Sequence, residues 1–170
     1  MLRVLGRDGY PGLTVEAVAA EAGVSKQTIY RWWTSRAEIV LEATTDAARA
    51  QVPLPDTGVL GRDVEAFLSA TYQVTSFPVY VEALRALAAE AQREPAFRVV
   101  FQQFTRARRD QLRVLLERGR DRGELAPDAP LDVLVDLAFG IIWYRLLVGH
   151  AEGGEVLAGQ VTRRLVAPLR

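Results

Sequence analysis

The chain has 170 residues, a formal net charge of zero, 49% hydrophobic residues and no cysteine. That length allows one domain, or a small domain fused to a larger one, with enough chain for a hydrophobic core. The composition excludes a disulfide framework, a thiolate metal site and a cysteine nucleophile, and it excludes a protein that is basic all over.

The elements read as helices throughout, punctuated by proline and glycine. Met1–Asp8 reads as the last turns of a helix stopped by Gly9-Tyr10-Pro11-Gly12. Thr14 is placed to N-cap a helix over about 15–22, with Val15, Val18, Ala19 and Ala22 as its apolar stripe. Gly23 supplies the left-handed conformation that ends a helix sharply, and Val24 is placed to plug the corner. Ser25 caps a helix over about 26–33, in which Ile29 and Trp33 face inward. Lys26, Gln27, Thr28, Tyr30 and Arg31 are left outside. From Lys26 to Arg36 the sequence holds three cations and no acid, so a locally basic surface sits on a neutral protein. Ser35 caps a longer helix, about 36–51. Val52-Pro53-Leu54-Pro55-Asp56-Thr57-Gly58 then breaks the chain and marks the expected domain boundary.

Downstream, a helix over about 60–75 places Val64, Phe67, Leu68, Thr71 and Tyr72 on one face. Phe77-Pro78 opens the next, carrying Val81, Leu84, Leu87 and Ala88. Glu94-Pro95 opens a long one ending near Gly123, with Phe97, Phe101, Phe104, Leu112 and Leu115 in stripe. Its arginines at 106, 108, 109, 113, 118, 120 and 122 alternate with Asp110, Glu117 and Asp121 and read as a solvated face. Helices at about 131–149 and 154–166 close the chain. The first of these carries only Asp136 and Arg145 as charges between Val133 and Val148, and its apolar residues spread around the whole circumference. Such a helix is buried all round. One side packs on its own core, and a second subunit is the simplest cover for the other. Leu134, Ile141, Ile142 and Leu146, with Leu157, Val161 and Leu165 of the last helix, are the expected dimer interface, half of a four-helix bundle. Gly140 costs about 1 kcal/mol relative to alanine in mid-helix and suits a close helix crossing. The alternative is a wholly intramolecular core helix.

Two stretches resemble a known family. Ala19, Gly23 and Ile29 have helix-turn-helix spacing. The run Gly23-Val24-Ser25, Thr28-Ile29-Tyr30, Trp33 and Arg36 resembles the tetracycline-repressor (TetR) family of bacterial regulators. Gly123-Glu124-Leu125-Ala126-Pro127-Asp128 and Trp143-Tyr144-Arg145-Leu146-Leu147 resemble the C-terminal domain of one branch. Only about two helical turns precede Gly9, where the family usually has a full helix.

The resemblance implies an all-α fold. An N-terminal three-helix helix-turn-helix domain with its linking helix would occupy residues 1–51. A larger C-terminal helical ligand-binding and dimerisation domain would occupy 52–170. It implies a cytoplasmic, ligand-responsive repressor that binds a palindromic operator on double-stranded DNA as a homodimer, with no catalytic or metal site and no cofactor. Lys26, Gln27 and Thr28 would reach base edges, Gln27 pairing with adenine. Tyr30 and Arg36 would anchor backbone phosphates, and Thr14 another phosphate. Arg31 and Trp32 complete the expected contact surface, Trp32 against the sugar-phosphate. An apolar or aromatic effector would be lined by some of Phe67, Tyr72, Tyr80, Phe101, Phe104, Phe139 and Trp143, each of which alone also reads as core. Arg145, a lone cation in an apolar helix, needs a partner, which a ligand oxygen would provide. The other reading is an all-α small-molecule-binding or scaffold protein without DNA binding. Salt-dependent binding to duplex DNA separates the two.

Overall fold

A computed structural model describes residues 1–51, 54–151 and 153–167, without the side chains of Leu2 and of residues 47–51. The order is α1 (Leu2–Gly12), α2 (Val15–Ala22), α3 (Lys26–Tyr30), α4 (Arg36–Gln51), α5 (Leu60–Gln73), a 3₁₀ turn (Val74–Ser76), α6 (Pro78–Arg93), α7 (Pro95–Asp121), α8 (Leu131–Val148) and α9 (Glu155–Leu165). The break expected at 52–58 lies partly outside the described residues, and Leu54–Val59 is irregular. Among the described residues no helix is long and apolar enough to cross a membrane.

The chain divides into two compact units: Met1–Ala48 with Phe77–Phe104, and Arg49–Ser76 with Thr105–Arg170. Contacts thus group α6 with the N-terminal helices. In the first unit one cluster joins Val4 and Leu5 of α1, Leu13, Val15, Val18 and Ala19 of the α2 region, Ile29 of α3, Val40 and Leu41 of α4, and Ala83, Leu87 and Ala91 of α6. The buried face of α6 is phased by Ala83, Leu87 and Ala91, whereas Val81, Leu84 and Ala88 are half-buried. The two alanines, four residues either side of Leu87, give α1 a low surface on which to lie.

The second unit has its own core, built from Leu60, Val64, Phe67, Leu68 and Tyr72 of α5, Leu112, Leu115 and Leu116 of α7, and the inner faces of α8 and α9. Each such side chain contributes about 1.5–3 kcal/mol on burial. The Tyr72 hydroxyl is buried with them and donates to Ala138 O at 2.6 Å, so its polar end is satisfied inside the core.

Helix α8 corrects a sequence expectation. Leu134, Ile142 and Leu146, expected at a dimer interface, are each 6% exposed and face inward. The uncovered side carries Val133, Leu137, Tyr144, Leu147 and Val148, each more than half exposed. The apolar circumference gave no phase, and packing against α5 and α9 selected one. Ile141 is half-buried. Leu157, Val161 and Leu165 are buried, yet with Ile141 they line an open groove of about 660 Å³ beside Leu137 and Arg145. A Cβ added at Gly140 would meet open space, which places this glycine on the uncovered side.

Candidate nucleic-acid interface

The corner between α2 and α3 follows from local chemistry. Thr14 Oγ1 accepts from Ala17 N at 3.1 Å and starts α2. Gly23 ends α2 at φ +67°, ψ +28°, while Val24 N bonds back to Ala19 O at 3.0 Å. Ser25 Oγ then accepts from Thr28 N at 3.2 Å and starts α3. Val24 is 41% exposed and does not plug the corner; buried Val18, Ala19 and Ile29 fill it. Helix α3 is shorter than the expected 26–33, because Trp32 N and Trp33 N both turn to Ile29 O at 3.0 Å. The next cap competes for the chain there: Thr34 N and Oγ1 each donate to Glu38 at 2.7 Å, and Glu38 N donates to Ser35 Oγ at 3.3 Å.

Lys26, Gln27, Thr28, Arg31 and Trp32 are exposed around this short helix, Trp32 at 73%, and Tyr30 is 53% exposed. Thr14 is exposed at the start of α2. The eight residues expected to touch DNA are therefore on one unit, but three of them are engaged differently from expectation. Lys26 is paired with Glu16 of α2, so the surface is less basic than residues 26–36 alone suggest. The Lys26 hydrogen bond holds the Glu16 carboxyl below its ordinary value. Thr28 Oγ1 lies 3.0 Å from Ser25 Oγ, which ties its hydroxyl to the cap.

Arg36 departs further. Its Nη1 donates to Tyr10 O and Leu13 O, both at 3.3 Å, and its guanidinium sits 4.5 Å above the Tyr10 ring. This half-buried arginine is turned inward as a clamp on the α1–α2 connection, not outward as a phosphate anchor. Its partners exist because Gly9 adopts φ +67°, ψ 174° and swings Tyr10 round. Tyr10 N donates to Glu82 of α6 at 2.7 Å, and a Cβ at Gly9 would come 2.9 Å from the same carboxylate. Burial and then the Glu90 charge push the Tyr10 phenol above its ordinary pKa. Trp33 packs partly on the core and its indole N–H donates to Glu42 at 2.8 Å.

The residues expected around an effector fall in both units. Tyr80 meets Phe77 edge-on at 6.1 Å, and Phe101 lies 6.2 Å from Phe104, all in the first unit. In the second, Phe67 and Tyr72 are fully buried, Phe139 is 8% exposed, and half-buried Trp143 packs on the same core. Burial raises the Tyr72 phenol pKa, and the nearby Arg145 charge opposes the rise. The arginines from Arg106 to Arg122 are expected on a solvated face. Arg109 and Arg113 do pair with Asp136 and Asp132, but Arg108 turns inward. No signal in the sequence alone sets it apart, since its partners come mainly from α5. Among the described residues no group of acids, histidines or cysteines is arranged to hold a metal ion.

Known proteins share both parts of this layout. Residues 2–43 match the family described as bacterial regulatory proteins, tetR family, and residues 54–165 match the tetracyclin repressor-like C-terminal domain. An uncharacterised HTH-type transcriptional regulator of Mycobacterium tuberculosis is 36% identical over 148 residues, which cover 86% of this chain and 72% of the relative. The DNA-binding transcriptional repressor TetR of Mycobacteroides abscessus is 31% identical over 153 residues, covering 87% and 78%. A crystal structure of a TetR family transcription regulator superposes with a TM-score of 0.83 at 29% identity, covering 97% of this chain and 91% of that one.

Proposed function

The chain belongs to the TetR family of DNA-binding transcriptional regulators, and on that premise we propose that it is a cytoplasmic, homodimeric repressor released from a palindromic operator by a small-molecule effector. The observation that carries the DNA half is the set Gln27, Tyr30, Arg31 and Trp32, exposed on a short helix held between two capped turns. Gln27 reads a base edge, and Tyr30 and Arg31 hold phosphates, with Trp32 laid along the backbone. Lys26 joins them when phosphate competes with Glu16. Thr14 offers a further phosphate contact, and Thr28 reaches the base edges as its hydroxyl leaves Ser25. Arg36 acts through the clamp on Tyr10 and Leu13, as a positioning residue. Residues 1–51 serve DNA and residues 52–170 serve the effector and the second copy.

The dimer half is supported by the uncovered apolar side of α8. Val133, Leu137, Tyr144, Leu147 and Val148 form a stripe on an 18-residue helix, beside the open groove along α9. A self-complementary two-fold contact covers both at once and sets two α3 helices about one DNA turn apart. The effector is an apolar or aromatic molecule. It acts only through a difference in its affinity for the DNA-bound and released states.

Fluorescence anisotropy of the full chain on operator and scrambled duplexes, across a salt series, tests the reading. The expected result is operator preference with a negative slope of log affinity against log salt. Absence of binding to either duplex at low salt would leave a helical scaffold or small-molecule binder in its place.

A further inference from the structure

Several arginines on α7 and just past its end pair with acids. Arg109 pairs with Asp136, Arg113 with Asp132 and Glu117, and Arg118 and Arg122 with Asp56. Arg108 does not. Its Nη1 donates to Gln111 Oε1 at 2.7 Å and its Nη2 to Thr71 Oγ1 at 2.9 Å, while its guanidinium lies 5.2 Å from the centre of the Phe67 ring. Every one of these partners is neutral. The Thr71 hydroxyl gives its own proton to Phe67 O at 2.8 Å, which turns its lone pairs toward Arg108. Burial pulls the Arg108 pKa below its ordinary value, with no acid opposing the shift.

These partners fix the guanidinium without neutralising it. A partly desolvated cation is costly unless a counter-charge is supplied, and the aromatic face offsets only part of that cost. Gln111 and Thr71 use two of the five guanidinium N–H donors. The others keep the planar fork that matches a carboxylate or phosphate. The guanidinium is already oriented, so an anion binding there loses little side-chain entropy. We infer that Arg108 is the receptor for an anionic group, a carboxylate or a phosphate, carried by the effector. This rests on the effector reading above and adds the charge that the reading lacks.

The test uses the full-length chain with decanoate, decyl phosphate and decanol, followed by calorimetry and by the Nε–H resonance of ¹⁵N-labelled Arg108. Decanoate or decyl phosphate should bind about tenfold or more tighter than decanol and move the Arg108 resonance. Whichever anion does so identifies the carboxylate or the phosphate as the matched group. In Arg108→Gln the anion preference should fall to about twofold or less, with Arg108→Lys retaining part of it. The unliganded Arg108→Gln chain should melt no lower than wild type, because it loses an uncompensated charge. An Arg108 resonance that neither anion moves overturns the inference, as does a lowered melting temperature with an intact anion preference, which would make Arg108 a structural brace. Release of bound DNA is read in parallel. If decanol and the anions release it equally, the effector reading stands and the anion site falls. If the anions move Arg108 but leave DNA bound, the anion site stands and the effector reading falls.

Discussion

The outward faces of α3 and α8 are both left uncovered by the chain's own cores, and they differ in chemistry. Around α3 the exposed side chains of Lys26, Gln27, Thr28, Tyr30, Arg31 and Trp32 are all hydrogen-bond donors. Along α8 the exposed large side chains are Val133, Leu137, Tyr144, Leu147 and Val148, mostly without donors, and the exposed acids Asp132 and Asp136 pair with Arg113 and Arg109. Large hydrophobic residues appear on both, so exposure alone does not identify a partner. The density of donors does: a donor-rich face suits a polyanion, and an apolar stripe suits a copy of itself. Support differs too. The five-residue α3 is held by caps at Ser25 and by the competing turn at Thr34, whereas α8 is held by a core along its length.

Leu137→Glu should split the dimer while leaving the helical content intact, and DNA affinity should fall on the order of 100-fold as the two heads lose their link. Light scattering and circular dichroism check this. Ile142→Glu, in contrast, should unfold the second unit, because a charge placed at a 6% exposed core position has no partner. If Leu137→Glu remains a dimer with wild-type affinity, the uncovered side is not the interface.

Gln27→Ala sharpens the α3 side of the contrast. It should cost about 1–3 kcal/mol on the operator and leave scrambled duplexes nearly unaffected, as anisotropy on both will show. Equal losses on both duplexes would move Gln27 from base reading to backbone contact.

Arg36→Ala separates support from contact within the same head. The inward clamp on Tyr10 O and Leu13 O predicts a loss of about 1–2 kcal/mol of stability in thermal melts, with the salt slope of DNA binding unchanged. A phosphate contact would instead flatten that slope by about one per site.

The smallest expected effect is at Glu16. Glu16→Gln frees Lys26 from its exposed partner, so nonspecific DNA binding should tighten about two- to threefold at low salt. A weaker complex would mean that Glu16 itself holds the surface in shape.

Much of the head was legible because its signals are local. Thr14 and Ser25 cap the helices they were expected to cap, and Gly23 takes the left-handed conformation that its position requires. Each depends on residues three or four positions away. The length of α3 was not legible, since two turns compete for Trp32 and Trp33 and the outcome depends on how Glu38 folds back on Thr34. The uncovered side of α8 was not legible either. A helix that is apolar all round carries no periodic signal, and only contact with α5 and α9 divides it.

The all-helical fold, the positions of the caps and the composition of the face around α3 follow from residues close together in the chain, because helix signals and side-chain donors are written within a few residues. The tertiary structure decided which charges remain available. Lys26 meets Glu16, Arg36 is drawn in by carbonyls that the Gly9 turn exposes, and Arg108 meets Thr71 and Phe67 of α5 instead of an acid. The fate of a charge depends on what lies within a few ångströms in space, and the groups there come from elements that chain spacing does not bring together.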